Sequence, residues 1–340
     1  MTVLSTIWSG DDAFNARVQT IDRRTLPMTG VLRAMLRASD DDVVIINGAL
    51  GFGERWRDLL MACTVRAMRH RPGLVVSDAT WEQRSGRDES TAPVLHRVNG
   101  TFGRFLVRRL LNHRTVLCFL SREEADHFLA QTGCPAESVV FTPFTSTIPW
   151  GELEPLLEMR SARVQEPAEP YIFSGGNTLR DWDLLCEALD DCGARVRVAT
   201  RHADRHWPRN FEVGPCTQEE FFPLMARASS CVFALKSDSM RSAGQQTYLN
   251  ALRLGAPVVV NDIPGVRDHL EYVPGAFITP TYDAAAIRDR VAWLLDPTNA
   301  TEVSVLGQSG AAYVSRNLNE SRYLGLLADV ADSLGARLAV

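Results

Sequence analysis

Lysine is almost missing from this chain. Of its 36 basic residues only Lys236 is a lysine, and all the others are arginine. A genome-wide preference for arginine codons accounts for such a bias. One retained lysine then suggests a need for a compact cation at that place. A basic excess is missing too: 41 acidic residues leave a formal charge of −5. A nucleic-acid binder usually carries the opposite balance, because it must neutralise phosphates, so no nucleic-acid partner is expected. No apolar run reaches the ~18 residues that a membrane span requires. The nearest, 105–120, is broken by Arg108, Arg109, His113 and Arg114. Residues 1–12 lack a basic and an apolar leader segment, so no secretory signal is expected. Among seven cysteines no pair has C-x-x-C spacing, and Cys118 and Cys231 lie in apolar runs. Buried thiols in a reducing cytoplasm are the expectation. G-x-S-x-G, the P-loop and H-E-x-x-H are absent, which removes three common catalytic frameworks. His202-x-x-x-His206 with Asp204 has metal-ligand spacing, but flanking arginines and Pro208 favour a solvated loop, and no metal is expected.

What is present is alternation. Short apolar runs (43–46, 74–76, 115–120, 139–141) alternate with helical periods (55–70, 104–112, 121–133). Ser121 and Glu124 form a capping-box signature, and Gly133 is a helix-ending glycine. The pattern breaks over 149–169, where Pro149, Pro155 and Pro167 stand among acidic residues; this reads as a linker with a helical turn or two. Alternation resumes with strands at 171–173, 195–199, 231–235 and 258–260. Helices at 182–189, 217–228, 245–254 and 284–295 lie between and after them. Strands alternating with helices of this length predict parallel sheets flanked by helices. The expected layout is a Rossmann-like domain over 1–148, the linker, a second Rossmann-like domain over 170–320, and a terminal helix, 321–340, packing back on the first domain.

In such sheets ligands bind beyond the carboxyl ends of the strands. Two post-strand loops of the second half stand out. In 236–257, Gly244 opens a helix whose first N–H groups and positive dipole end suit a phosphate; Gln245, Gln246 and Thr247 add donors. The alternative is an ordinary joint capped by Ser242. In Ser174-Gly-Gly-Asn-Thr-Leu-Arg-Asp181, Gly175 and Gly176 permit close backbone approach, and Arg180 could pair a diphosphate bidentately. The alternative is a tight turn with Arg180 bridging Asp181 or Asp183.

Together these loops resemble the C-terminal domain of family 4 glycosyltransferases of the GT-B fold. The residues that carry the likeness are the glycine-rich loop with its basic residue, Gly255-Ala-Pro-Val-Val259, and the Pro264-Gly265 turn. The likeness extends over most of 115–300 and is poor before residue 42. It implies two Rossmann-like domains facing a central cleft and metal-independent transfer of a sugar, with retention, from a nucleotide sugar, UDP-linked, to a hydroxyl or amine of a small-molecule or glycan acceptor. The nucleotide sugar is a co-substrate, and no cofactor is implied. The family motif E-x7-E falls on Ser242 and Asn250. In the family the first glutamate lies near the sugar and the second accepts from ribose hydroxyls; Asn250 can still bond a ribose, whereas Ser242 brings no carboxylate. A sugar-nucleotide epimerase of this fold and a non-catalytic sugar-nucleotide binding partner therefore remain alternatives. Lys236 lies on the side where the diphosphate would sit.

The first half is expected to hold the acceptor. Asn47 and Gly48 follow a strand in a glycine-rich loop whose order, G-x-x-G-x-G, is not the dinucleotide fingerprint. After the next strand, Asp78 or Glu82 could serve as general base, and Trp81 could stack on a ring. The alternative is a helix cap at Asp78 and a packed Trp81. Residues 104–114 carry a basic face suited to peripheral contact with an anionic membrane, with a solvated helix face as the other reading.

Overall fold

A computed structural model describes residues 1–7, 9–22, 25–48, 56–68, 70–79, 112–165, 169–237 and 240–339. Glu82, Trp81 and the basic segment 104–111 lie outside the described residues. The chain divides into two compact units. One is Met1–Pro143 with Ser321–Val340, and the other is Phe144–Glu320.

Among the described residues each unit holds one six-stranded sheet, and every pairing is parallel. The first contains β1 (Val3–Ser5), β2 (Gln19–Thr20), β3 (Val43–Asn47), β4 (Gly73–Ser77), β5 (Thr115–Phe119) and β6 (Val139–Phe141), in the order β2-β1-β3-β4-β5-β6. The second contains β7 (Tyr171–Gly175), β8 (Arg195–Ala199), β9 (Phe211–Gly214), β10 (Ser230–Phe233), β11 (Val258–Asn261) and β12 (Ala276–Thr279), in the order β12-β11-β10-β7-β8-β9. The helices are α1 (Asp12–Arg17), α2 (Met28–Met35), α3 (Trp56–Ala67), α4 (Arg122–Thr132), α5 (Trp150–Gln165), α6 (Trp182–Leu189), α7 (Gln218–Arg227), α8 (Gln245–Arg253), α9 (Val266–Leu270), α10 (Ala284–Leu295), α11 (Ala300–Asn317) and α12 (Glu320–Leu338). Central strands such as Val43–Ile46 and Val258–Val260 are buried along their whole length. A parallel strand covered on both faces has that signature.

Local signals explain the helix ends. Gly133 terminates α4 at φ 64, where its N–H donates to the Leu129 carbonyl. Thr217 and Glu220 close a reciprocal capping box on α7. The terminal helix α12 places Leu324, Leu327, Ala328, Ala331 and Leu334 in one buried cluster with Val43, Ile45 and Val75 of the first sheet. Each buried leucine there contributes about 1.5–3 kcal/mol.

Residues 149–169 need a correction. The expected linker is largely the helix α5, which belongs to the second unit. Leu153, Leu156 and Met159 recur every three residues and join a core cluster with Phe222, Met225 and Ala226 of α7. Arg160 then donates to the Ala228 carbonyl just past the end of α7. The prolines mask this stripe in the sequence, although Pro155 stands inside the helix.

Candidate functional site

In the second sheet, strand order reverses between β7 and β10. The loops leaving these two strands are the ones marked by their glycines and polar residues. They are zipped to each other. Arg180 and Leu235 form an isolated antiparallel bridge, Asp181 N–H donates to the Ala234 carbonyl at 3.0 Å, and Lys236 N–H donates to Leu179 at 3.0 Å. Leu235 is fixed from the other side by Asn261. That side chain accepts from the Leu235 N–H at 2.7 Å and donates to its carbonyl at 2.8 Å, wholly buried. Sequence reasoning misses Asn261; a polar residue ending a run of buried valines is the signal that marks it.

Arg180 is the centre of the arrangement. It is 7% exposed. Its Nε donates to the Gly175 carbonyl (2.8 Å), Nη1 to the Thr178 carbonyl (2.8 Å) and Nη2 to Thr247 Oγ1 (3.0 Å). A Cβ on Gly176, at φ 111, would overlap the guanidinium, so the second glycine makes room for the cation. Among the described residues no carboxylate pairs with it. Burial pushes its pKa down to about 10, still a charged group at neutral pH. Asp181 and Asp183, the alternative partners, are engaged elsewhere: Asp181 caps α6 and Asp183 pairs with Arg205. A buried cation held by neutral acceptors alone is costly unless an anion joins it.

Helix α8 starts beside Arg180. Gly244 is its N-cap at φ 80, and a Cβ there would meet Leu235 Cδ1 at 2.8 Å. Among the described residues no side-chain cap bond is made to the start of this helix. The Gly244 carbonyl takes the Thr247 and Tyr248 amides and the Thr247 hydroxyl. Gln245 is buried, and its Nε2 has no partner among the described residues, although buried amides are ordinarily satisfied. Gln246 is exposed and donates to Thr147 Oγ1 at 2.9 Å. Lys236 is exposed at the loop's start, and Ser242 is buried.

Asn250, expected at a ribose, is placed differently. It is 1% exposed. Its Oδ1 accepts from Ser146 Oγ and the Thr147 N–H, both at 2.8 Å, and Nδ2 donates to Thr147 Oγ1 at 3.1 Å. Both acceptor positions are thus engaged by the segment that enters this unit.

In the first unit, strand order reverses between β1 and β3. Asn47 and Ser77 are register partners at the ends of β3 and β4, and Ser77 Oγ donates to Asn47 Oδ1 at 3.2 Å. Gly48 N–H donates to the Ser77 carbonyl at 3.1 Å, and a Cβ on Gly48 would overlap the buried Asp58. Asp78 follows at φ 48. Tyr323 of α12 hydrogen-bonds Ser77 and lies near Asp78; burial first, then that carboxylate, push its phenol pKa up. Asn47, Gly48 and Asp78 thus share one sheet edge. His202 and His206 lie in an exposed loop, not on a helix.

Solved structures share this architecture at low identity. Sucrose-phosphate synthase from Thermosynechococcus elongatus aligns with a TM-score of 0.63 at 13% identity, over 94% of this chain and 81% of that one. HepE of Anabaena, solved in complex with UDP, aligns at 0.61 and 12% over all of both chains. A UDP-forming α,α-trehalose-phosphate synthase from Burkholderia vietnamiensis aligns at 0.58 and 13%, over 95% and 80%. The chain has the GT-B fold. No protein-family model matches the chain, and no curated protein does. In this GT-B chain no described helix is long and apolar enough to cross a membrane.

Proposed function

We propose that the protein is a glycosyltransferase resembling family 4, which takes a sugar from a UDP-linked donor and delivers it to a hydroxyl or amine acceptor without a metal. The observation that carries this reading is Arg180. It is a buried cation whose partners among the described residues are all neutral, at the point where strand order reverses. The diphosphate gathers charge as the glycosidic bond breaks. Arg180, the first-turn amides of Gln245 and Gln246, and Lys236 would stabilise that charge where it develops. Gln245 Nε2 adds a donor that has no other use among the described residues. Asp78 is the described candidate for general base toward the acceptor.

HepE, whose solved complexes include one with UDP-glucose, supports the choice of a UDP sugar as first probe. The test is a thermal-shift screen of UDP-, GDP- and dTDP-sugars, followed by measurement of nucleotide release. Stabilisation by a UDP sugar, lost in Arg180→Ala and weakened in Lys236→Ala, supports the reading. No shift with any sugar nucleotide removes it.

A second reading is a non-catalytic sugar-nucleotide binding partner. What supports it is the sequence resemblance, which sets Ser242 and Asn250 against the two glutamates of the family motif, together with the engagement of Asn250 by Ser146. Donor binding with neither hydrolysis nor transfer across an acceptor library would select it. The same replacements make the stereochemical course a matter for measurement: an α-linked product from an α-linked donor means retention.

A further inference from the structure

Tyr282 stands in an unusual place for an aromatic residue. It follows β12 with φ 60, in the left-handed region that side chains bearing a Cβ rarely adopt, and it is 57% exposed. Neither burial nor backbone preference explains it. Its hydroxyl does: Ser237 Oγ donates to Tyr282 Oη at 2.6 Å, across 45 residues of sequence. Ser237 immediately follows Lys236. The residues around Tyr282 are held on both sides. Thr281 Oγ1 donates to the Asp262 carbonyl at the end of β11, and Asp283 caps α10 by accepting from the Ala286 N–H at 2.8 Å. On the other side of Lys236, Leu235 is pinned by Asn261. Lys236 itself is exposed, and among the described residues its ammonium has no ion-pair partner.

We propose that Tyr282 is a positioning residue of the diphosphate site, holding Lys236 in place through Ser237. The proposal rests on the donor reading above. Backbone strain kept at an exposed residue is characteristic of functional loops, where it fixes a geometry that relaxed backbone would not. A flexible lysine must lose rotational freedom to meet a phosphate. Anchoring the residue on each side of it reduces that cost before the ligand arrives. The phenol thus works on the donor at one remove, through a hydrogen bond to the neighbouring serine.

The experiment measures UDP and UMP affinity by calorimetry for the wild type, Tyr282→Phe, Ser237→Ala, Lys236→Ala and the double variant Lys236→Ala/Tyr282→Phe. Tyr282→Phe and Ser237→Ala are each expected to weaken UDP by about three- to tenfold, the range for loss of one hydrogen bond. UMP, which lacks the second phosphate, should change less. The double variant should bind UDP no worse than Lys236→Ala alone, because Tyr282 acts only through that lysine. Additive losses, or equal losses for UDP and UMP, would overturn the proposal. So would wild-type UDP affinity in Tyr282→Phe at an unchanged melting temperature. A wild type that binds neither nucleotide defeats the donor reading itself, an outcome distinct from any of these. Tyr282→Gly serves as control. It relieves the strain, so it should hold or raise the melting temperature while still losing UDP affinity.

Discussion

The two sheets end in different chemistry. At the carboxyl edge of the second, Arg180 and Lys236 stand with helix amides, and among the described residues no carboxylate pairs with either cation. At the corresponding edge of the first stand Asp78, Asn47, Ser77 and the phenol of Tyr323. In the proposed reading, one edge receives negative charge and the other orients hydroxyls or accepts a proton. Two sheets of one architecture thus differ in what their post-strand loops carry. Fold alone specifies neither role.

The largest effect expected from breaking this contrast is at Asp78. Asparagine tolerates the left-handed backbone and removes the charge. Asp78→Asn should slow turnover of a UDP sugar by about 10²–10⁴-fold, the usual worth of a general base, and leave UDP affinity unchanged. Unaltered turnover would return Asp78 to a purely structural role.

Gly244→Ala probes the anion edge through its backbone. It combines a left-handed φ with a contact to Leu235 Cδ1 of 2.8 Å. Denaturant unfolding should show a loss of about 1–3 kcal/mol, accompanied by weaker UDP binding. Stability equal to wild type would mean that the loop relaxes freely and is not preorganised.

A smaller effect belongs to His269. It is buried, its Nδ1 meets the Gly265 carbonyl at 2.7 Å, and its Nε2 accepts from the Phe144 N–H at 3.0 Å. Burial holds its pKa below the ordinary histidine value. Below about pH 6.5 the unfolded chain takes up a proton that the folded imidazole refuses. Stability therefore falls as pH falls, by at most about 1.4 kcal/mol per unit from this group. His269→Gln should flatten the fall between pH 7 and 5. An identical slope would assign it to other groups.

Much of this is legible in the sequence. A glycine pair after an apolar run marks a post-strand loop, and Thr217 with Glu220 marks a helix start. Strand order is not legible, yet it is what makes the Gly175 and Gly244 loops neighbours. Helix α11 is hidden for a physical reason. Its inner face carries Gly307 against the Gly255 backbone and Gly310 against the Pro274 carbonyl, so close approach replaces the apolar period. Strands β9 and β12 are four residues long and only partly buried, too short for alternation to show. The surroundings of Asn250 are not legible either: its amide is engaged by Ser146 and Thr147, more than 100 residues away in sequence. Trp81 and Glu82 lie outside the described residues.

The central claim is that Arg180 is a buried cation kept for a diphosphate. Calorimetric titration of UDP, UMP and uridine into wild type and Arg180→Ala tests it most directly. A charged hydrogen bond is worth about 1.5–3 kcal/mol, so Arg180→Ala should lose about 10- to 100-fold for UDP, with the loss shrinking through UMP to uridine. Equal UDP affinity in both proteins, or a uniform loss across all three ligands, would contradict the account.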